Sequence, residues 1–232
     1  MKLNNKYFLL RHGEAKSNVK DVVSSWPEKF KNPLTKNGKE KIKEEAEKLK
    51  AKNIDLIFAS DLLRTEQTAE IVAKKLGLKV IFDKRLREID VGIFNSKPVD
   101  EFVRYFKGPG LADIDRIKNK TPGGENYTEV VKRVFDFFKE INEKYRSKNI
   151  LVVSHQAPLM LLRAKIIDAS VLKDVEKLKK ILQEKKVTKG ELIELNPYKK
   201  EDDGNLLRRV KISEREFRQG KGKILKSLKD LI

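Results

Sequence analysis

The chain has 232 residues, 39% of them hydrophobic, which is enough for one substantial core in a single α/β domain. It contains no cysteine and only two histidines, which excludes a disulfide framework, a thiolate metal site and a histidine-rich metal site. The 53 Lys and Arg residues against 35 Asp and Glu give a net charge of +18, spread along the chain, which attracts anions from small phosphorylated molecules to RNA.

The N-terminal segment has a short apolar run before Arg11 that is too short for the core of a signal peptide. No other run approaches the length of a membrane span. The absence of cysteine fits a reducing compartment. We therefore expect a cytoplasmic protein without a membrane span.

The first predicted element is a buried strand over residues 7–10, an apolar run closed by the polar turn RHG. His12 then lies just past the carboxyl end of this strand, where ligands bind in open α/β sheets. Residues 19–31 show no clear period and predict a loop or a short helix. Trp26 in this segment is explained as well by packing as by a role in a pocket.

An apolar stripe of Ile42, Ala46 and Leu49 among charged residues predicts an amphipathic helix, and a second buried strand follows over residues 54–60. Asp61 is the expected N-cap of the next helix, which ends at Gly77.

Arg64 lies in the first turn of that helix, away from its apolar stripe. A cation at this position opposes the helix dipole, so a phosphate partner explains Arg64 better than simple exposure to solvent does.

LKVIFD predicts a third strand, and Glu88 falls in the turn region after it. Residues 95–125 predict loops around a short helix, VDEFVRYF. Residues 127–145 carry the broadest apolar stripe of the chain and predict a helix packed on the sheet. The apolar members of this stripe are Val130, Val131, Val134, Phe138 and Ile141.

His155 follows the apolar run NILVVS, as His12 follows the first strand. If both runs are neighbouring parallel strands, the two imidazoles meet at one edge of the sheet. A helix over residues 157–167, with Pro158 near its first turn, places Ser154 and His155 beside free backbone N–H groups that favour an anion.

ELIEL and LLRRVKI predict strands at the edge of the sheet, joined by the polar turn KKEDDGN. We assign residues 1–212 to one domain and residues 213–232 to a basic amphipathic tail. The tail is expected to pack on the same domain and to contribute stability or assembly rather than chemistry. Its apolar residues are Phe217, Ile224, Leu225, Leu228 and Leu231.

The alternation of strands and helices predicts a three-layer α/β/α domain with a largely parallel sheet. RHGE after the first strand, SDLLRTEQTA after the second and SHQAP after a late strand together resemble the histidine phosphatase superfamily. That superfamily includes the cofactor-dependent phosphoglycerate mutases and the bisphosphatase half of the fructose-6-phosphate kinase/bisphosphatase enzymes. The similarity runs from about residue 6 to residue 195 and implies the phosphoglycerate mutase-like fold.

The resemblance implies phosphoryl transfer through a phosphohistidine. A neutral imidazole, with an unperturbed pKa of about 6.5, is a competent nucleophile at physiological pH, and arginines bind phosphoryl oxygens through charge-assisted forks. No metal or cofactor is required. The implied roles are nucleophile for His12, phosphate binding for Arg11, Arg64 and Asn18, a further phosphate donor for His155, and general acid and then base for Glu88.

Two further positions relate to the family pattern. Glu14 lies near the site, and we treat it as a helper without a defined role. TPGGEN resembles the Pro-Gly-Gly-Glu-Ser stretch of the family, with Asn126 in place of the usual serine.

Both phosphatases and mutases use these residues. The short segment between Glu88 and His155 resembles the phosphatase branches, because the mutases carry a longer insertion there, and SHQAP resembles the bisphosphatases. We therefore favour a phosphomonoesterase that acts on a small phosphorylated metabolite, with a phosphoglycerate mutase as the alternative. The substrate and the oligomeric state stay open.

A second alternative is a non-catalytic module that binds anions or RNA, in which the charge of +18 is the working feature. The presence of all the core site positions argues against it, and no RNA-binding motif with interleaved aromatic residues is visible. We therefore expect no specific nucleic acid partner.

Overall fold

The computed structural model describes residues 2–106, 116–173, 178 and 187–195, which fall in one compact unit, Met1–Asn196. The predicted strand LLRRVKI, the boundary at residue 212 and the tail 213–232 lie outside the described residues and stay predictions. In chain order, the elements are β1 (Lys6–Arg11), α1 (Lys16–Val19), α2 (Lys36–Lys50), β2 (Leu56–Ala59), α3 (Leu63–Leu76), β3 (Val80–Phe82), α4 (Val99–Tyr105), α5 (Tyr127–Lys144), β4 (Asn149–Ser154), α6 (Gln156–Ile167) and β5 (Leu192–Leu195).

The strands form one sheet in the order β3-β2-β4-β1-β5. β5 runs antiparallel to β1 at one edge, and the other pairs are parallel. Arg11 pairs with Ser154 at the end of the β1–β4 ladder, and the backbone N–H of His12 donates to the Ser154 carbonyl at 3.0 Å. The two histidine-bearing strands are therefore neighbours, as predicted.

Alternate residues of the strands serve two separate cores, one on each face of the sheet. Tyr7 and Leu9 of β1 pack in the core that includes α5 and α6, whereas Phe8 and Leu10 pack in the core that includes α2 and α3. Because successive strand side chains point to opposite faces, a sheet buried on both sides reads as a continuous apolar run. This arrangement confirms the predicted three-layer α/β/α architecture.

The ends of the helices follow from local chemistry. The Thr35 side chain accepts a hydrogen bond from the Gly38 N–H and caps α2, and α3 ends at Gly77, which adopts the left-handed conformation with φ of 69°. Asn126 caps α5 and forms a reciprocal pair of hydrogen bonds with Glu129. The family variation at Asn126 therefore has a structural role that a serine also fulfils.

The prediction that Asp61 caps α3 is wrong. The N-cap residue is Leu62, which has no side-chain capping bond, and the Asp61 carboxylate accepts two hydrogen bonds from the Arg87 guanidinium, at 2.6 and 2.5 Å. A bidentate arginine pair is a stronger partner for a carboxylate than a helix N–H is. No helix in the described part of the chain is long and apolar enough to cross a membrane.

Candidate active site

A cavity of about 470 Å³ opens beside the end of β1 and the start of α6. Five of the six predicted site residues line it, namely Arg11, His12, Asn18, Arg64 and Glu88. The sixth, His155, is fully buried behind His12 and does not line the cavity.

His12 is held in one orientation by the turn that follows β1. Its Nδ1 lies 2.7 Å from the Gly13 carbonyl oxygen, and because a carbonyl only accepts, the proton is on Nδ1 and the lone pair is on Nε2. Burial lowers the pKa of His12 well below its usual value, and the charges of Arg64 and Arg11 lower it further. The imidazole is therefore neutral at physiological pH, with its lone pair on Nε2.

His155 packs its ring against His12, with 5.2 Å between the ring centroids. The rings meet as the sheet topology predicts. His155 Nε2 lies 2.9 Å from the Ser60 hydroxyl at the end of β2, while its buried Nδ1 has no hydrogen-bond partner among the described residues. Burial, followed by the charge of Arg64, lowers the pKa of His155 well below its usual value.

Arg64 projects from the first turn of α3 toward His12 and is 2% exposed. Its Nε donates to His12 Nε2 at 3.2 Å. Its other nitrogens bind the Ser24 carbonyl at 3.1 Å and the Glu28 carboxylate at 3.1 Å. Burial lowers the pKa of Arg64, but the Glu88 and Glu28 carboxylates oppose that change, and an arginine stays charged in proteins.

Arg11 and Asn18 are anchored by part of their side chains only. Arg11 Nη1 donates to the Val187 carbonyl at 2.9 Å, and its buried Nε has no partner within the described ranges. Asn18 Oδ1 accepts a hydrogen bond from the Ala15 N–H at 3.0 Å and so caps the start of the short helix α1. Arg11 thus keeps donor capacity near the cavity, whereas Asn18 also has a structural role.

Glu88 reaches the cavity from the loop between β3 and α4. Its Oε1 accepts a hydrogen bond from the Ile89 N–H at 2.9 Å. Burial lowers the pKa of both Arg11 and Arg64, and the negative charge of Glu88 opposes that change in each, which places the carboxylate close to these two cations. Arg11, Arg64 and Glu88, predicted from separate parts of the sequence, therefore lie together.

Glu14 and Trp26 do not line the cavity, and their side chains contact neighbouring residues instead. Glu14 accepts a hydrogen bond from the Thr35 hydroxyl at 2.6 Å and so ties the turn after β1 to the start of α2. Trp26 is 41% exposed, and the Arg87 guanidinium stacks on its ring at 3.4 Å from the centroid. The packing interpretation of Trp26 is the one that agrees with these contacts.

Gly13 of the RHG turn has a packing role. A Cβ on Gly13 would lie 2.8 Å from the Gly38 carbonyl oxygen, and a Cβ on Gly38 would lie 2.2 Å from the Glu14 carbonyl oxygen. The two glycines let the turn that carries His12 lie directly on the start of α2.

The cavity is also lined by apolar residues and by one further arginine, Arg116. The Arg116 guanidinium stacks near the rings of Phe102 and Tyr127, at 4.8 and 4.7 Å from their centroids. The apolar lining comprises Val22, Val23, Ile89, Val91, Val99, Phe102, Ala157 and Met160.

Sequence reasoning did not identify Ser24, Glu28 or Ser60, which contact Arg64 and His155. Ser24 and Glu28 lie in a segment without periodicity, so no pattern marked them. Ser60 is the last residue of a predicted strand, and both histidines lie just past the ends of theirs. That shared placement at the carboxyl edge of the sheet is the signal that could have found it.

The chain matches the model of the histidine phosphatase superfamily (branch 1) over residues 7–180. It is 30% identical over 161 residues to the "Probable phosphoglycerate mutase GpmB" of Salmonella choleraesuis, which covers 69% of this chain and 74% of that protein. This family match supports the similarity inferred from the RHGE, SDLLRTEQTA and SHQAP motifs.

Two solved structures show the same fold. A putative α-ribazole-5'-P phosphatase from Escherichia coli aligns with a TM-score of 0.65 and 26% identity, covering 82% of this chain and 90% of that one. A mycobacterial glucosyl-3-phosphoglycerate phosphatase aligns with a TM-score of 0.70 and 22% identity, covering 82% and 90%. At that lower identity the second likeness concerns the fold alone. With its matching sequence, sheet topology and paired histidines, this chain belongs to the histidine phosphatase superfamily, whose members are enzymes of phosphatase or mutase type.

Proposed function

We propose that the protein is a phosphomonoesterase that hydrolyses a small phosphorylated metabolite through a phosphohistidine on His12. The observation that carries this proposal is the orientation of His12, whose Nδ1–H is bound to the Gly13 carbonyl while Nε2 faces the Arg64 Nε at 3.2 Å. This arrangement fixes the tautomer with the nucleophilic lone pair beside a phosphate-binding cation.

In the first half of the reaction, His12 Nε2 attacks phosphorus and the bond from phosphorus to the ester oxygen breaks. The Glu88 carboxylate takes up the proton of the substrate monoanion and gives it to the leaving oxygen, so an alcohol departs and a phosphohistidine remains. Arg11 and Arg64 stabilise the charge on the phosphoryl oxygens, where most of the catalysis of phosphoryl transfer resides. His155 packs against the His12 ring, and its role as a phosphate donor stays a prediction. Asn18 adds a hydrogen-bond donor at the cavity wall.

In the second half, the Glu88 carboxylate takes a proton from a water molecule whose oxygen attacks phosphorus. The bond from phosphorus to nitrogen breaks, and its electron pair returns to His12 Nε2. Phosphate takes the proton from Glu88 and leaves as its monoanion, so both His12 and Glu88 regain their starting protonation states. One ester and one water molecule thus give one alcohol and one phosphate.

The cavity supports a modest organic group on the phosphate. Its volume of about 470 Å³ lies within the usual range of small-molecule sites. Apolar residues such as Val99, Phe102 and Met160 contribute to its lining, which suits a leaving group with an apolar portion.

A phosphoglycerate mutase is the second candidate, because the relative from Salmonella with 30% identity carries that name. The solved phosphatase with 26% identity supports the first candidate. A mutase returns the phosphoryl group to a second substrate oxygen, whereas a phosphatase gives it to water. The two reactions therefore differ in their products and not in their first step.

The test is a panel of phosphorylated metabolites assayed for phosphate release, together with 3-phosphoglycerate plus 2,3-bisphosphoglycerate assayed for 2-phosphoglycerate. We expect phosphate release from at least one ester and slow or no formation of 2-phosphoglycerate. Rapid formation of 2-phosphoglycerate without free phosphate establishes the mutase instead. Absence of both activities, with a salt-sensitive affinity for RNA, contradicts both enzyme candidates.

A further inference from the structure

The loop that carries Glu88 has little regular structure of its own. Glu88 lies between two single turns of 3₁₀ helix, Lys84–Leu86 and Gly92–Phe94. No strand ladder holds the backbone at Glu88 itself, so side chains from elsewhere must fix its position.

Arg133 of α5 binds this loop through its backbone. Arg133 Nη1 donates to the carbonyl oxygens of Arg85 and Arg87, at 2.6 and 2.7 Å. Arg133 Nη2 donates to the carbonyl oxygen of Glu88 itself, at 3.2 Å. One guanidinium therefore holds three carbonyls within four consecutive residues.

Glu125 holds Arg133 in place and extends the same clamp beyond Glu88. Its carboxylate accepts from Arg133 Nε at 2.8 Å and from Nη2 at 2.9 Å, and it also accepts from the Asp90 N–H at 3.0 Å. The Glu125 N–H in turn donates to the Asp90 carbonyl at 2.8 Å. Arg133 and Glu125 are only 20% and 26% exposed, so water screens their interaction weakly.

Two glycines show how tightly the loop is packed against the TPGGE segment that contains Glu125. A Cβ on Gly124 would lie 2.7 Å from the Asp90 carbonyl oxygen, and a Cβ on Gly92 would lie 2.0 Å from the Pro122 carbonyl oxygen. The backbone that follows Glu88 is thus fixed by packing, and the backbone of residues 85–88 is fixed by Arg133.

We propose that Arg133 is the positioning residue of this enzyme, acting through the backbone of residues 85–88 to aim the Glu88 carboxylate at the leaving oxygen. Arg133 does not line the cavity, so it touches neither substrate nor His12. The inference rests on the proposed role of Glu88 as general acid. Misplacement of a reacting group by about 1 Å can cost about 10²-fold in rate, which sets the scale of the effect.

The leaving group distinguishes a positioning role from a general loss of structure. An alkyl phosphate needs a proton on its leaving oxygen, whereas p-nitrophenyl phosphate releases a stable anion and depends little on a general acid. In the first half of the reaction a badly placed Glu88 therefore slows the alkyl ester selectively. The ratio kcat/KM covers only this half, up to departure of the alcohol, and leaves out the hydrolysis of the phosphohistidine that both esters share. A weakened fold, or a changed field at the histidines, slows both esters alike.

The experiment compares kcat/KM of Arg133→Gln for glycerol phosphate, or the best alkyl ester of the panel, with kcat/KM for p-nitrophenyl phosphate. Arg85→Gln is the matched control, since Arg85 is also a partly buried arginine whose side chain pairs with Asp83 and with Glu140 of α5, and its carbonyl remains in the variant. Glu88→Gln and the double variant Arg133→Gln/Glu88→Gln complete the set.

We expect Arg133→Gln to lower kcat/KM for the alkyl ester by about 10- to 100-fold and kcat/KM for the aryl ester by less than about 3-fold. Arg85→Gln should change both by less than about 3-fold. The double variant should be little slower than Glu88→Gln, because both changes act on one group. Arg133→Lys keeps the charge but not the forked guanidinium. Its kcat/KM for the alkyl ester should fall between the values of Arg133→Gln and the parent.

Equal losses on both esters in folded Arg133→Gln, or a change no larger than that of Arg85→Gln, would overturn the positioning role. Failure of both Arg133→Gln and Arg133→Lys to fold would overturn it too, since the clamp would then serve the fold as a whole. If Glu88→Gln itself shows no selectivity between the esters, the proposed role of Glu88 fails, which is a separate result.

Discussion

His12 and Glu88 reach the same cavity from parts of the chain that are held in different ways. His12 follows β1 directly, and the pairing of Arg11 with Ser154 fixes its position relative to β4. Glu88 lies in a loop whose backbone is held by the Arg133 and Glu125 side chains. A position set by strand register depends on many small backbone contacts, whereas a position set by one side-chain network depends on a few residues.

This difference gives the two residues different sensitivities to mutation. Changes around His12 must disturb the sheet or the turn before they move it. Glu88, in contrast, can be displaced by a substitution that removes one side chain. Substitutions at His12 and Glu88 should therefore differ in their effects.

The largest effect is expected for His12→Ala. Without Nε2 there is no atom to accept the phosphoryl group, so turnover should fall to background and no acid-labile phosphoenzyme should form. The measurement is phosphate release together with trapping of labelled phosphoenzyme. A melting temperature close to that of the parent shows that the fold is intact, and full activity in His12→Ala would falsify the nucleophilic role.

The next largest effect is expected for Glu88→Gln. Glutamine keeps the shape of the side chain but cannot donate the proton, so hydrolysis of an alkyl phosphate should slow by about 10²–10⁴-fold. The phosphoenzyme should still be detectable with p-nitrophenyl phosphate, because that leaving group needs little protonation. Rate constants for both esters check this, and an unchanged alkyl rate would assign the acid role to another group.

The same contrast explains how much of the site the sequence could predict. The strands before His12 and His155 are apolar runs that end in polar turns, and a parallel sheet brings such ends together. The meeting of the two rings, 5.2 Å apart, therefore followed from local pattern and topology. Glu88 was found through family resemblance, since its loop has no periodicity.

The contacts that hold the loops could not be predicted in the same way. Arg133 lies between Val131 and Val134 of a clear apolar stripe, and nothing local distinguishes it from a solvated arginine. Asp61 was assigned to the nearest helix start, but a distant residue, Arg87, is its partner. Local sequence reports caps and stripes, whereas pairings between loop and helix depend on the completed fold.

The packing of the His12 turn on α2 gives a smaller but sharper test. In a helix, Gly→Ala normally stabilises by up to about 1 kcal/mol, but a Cβ on Gly38 would lie 2.2 Å from the backbone oxygen of Glu14. Because backbone cannot move aside cheaply, Gly38→Ala should lower the free energy of unfolding by about 1–3 kcal/mol and also reduce kcat.

Gly77→Ala is the matched control. Gly77 has φ of 69° and nothing within 4 Å of an added Cβ, so the substitution should cost about 1–2 kcal/mol through backbone strain alone. Its kcat should match that of the parent. Denaturant unfolding and turnover are measured for both variants, and a Gly38→Ala protein with normal kcat would show that the turn tolerates displacement.

The last expected effect is a dependence of the free energy of unfolding on pH. Burial lowers the pKa of both His12 and His155 in the folded protein, whereas both return to about 6.5 in the unfolded chain. Above that pH neither state binds these protons, and the stability linked to the histidines is fully present. Below it the unfolded chain takes up protons that the folded protein does not, so the free energy of unfolding falls as pH falls.

Each histidine contributes a slope of up to about 1.4 kcal/mol per pH unit between about pH 6.5 and pH 5. His12→Gln removes one of the two groups, so its slope in this window should be smaller than that of the parent by up to about 1.4 kcal/mol per pH unit, a difference in which the contributions from carboxylates cancel. Urea unfolding of both proteins at several pH values measures the two slopes. Equal slopes would mean that the folded protein protonates His12 as readily as the unfolded chain does. In that case the neutral, pre-oriented nucleophile on which the comparison with Glu88 rests would be lost.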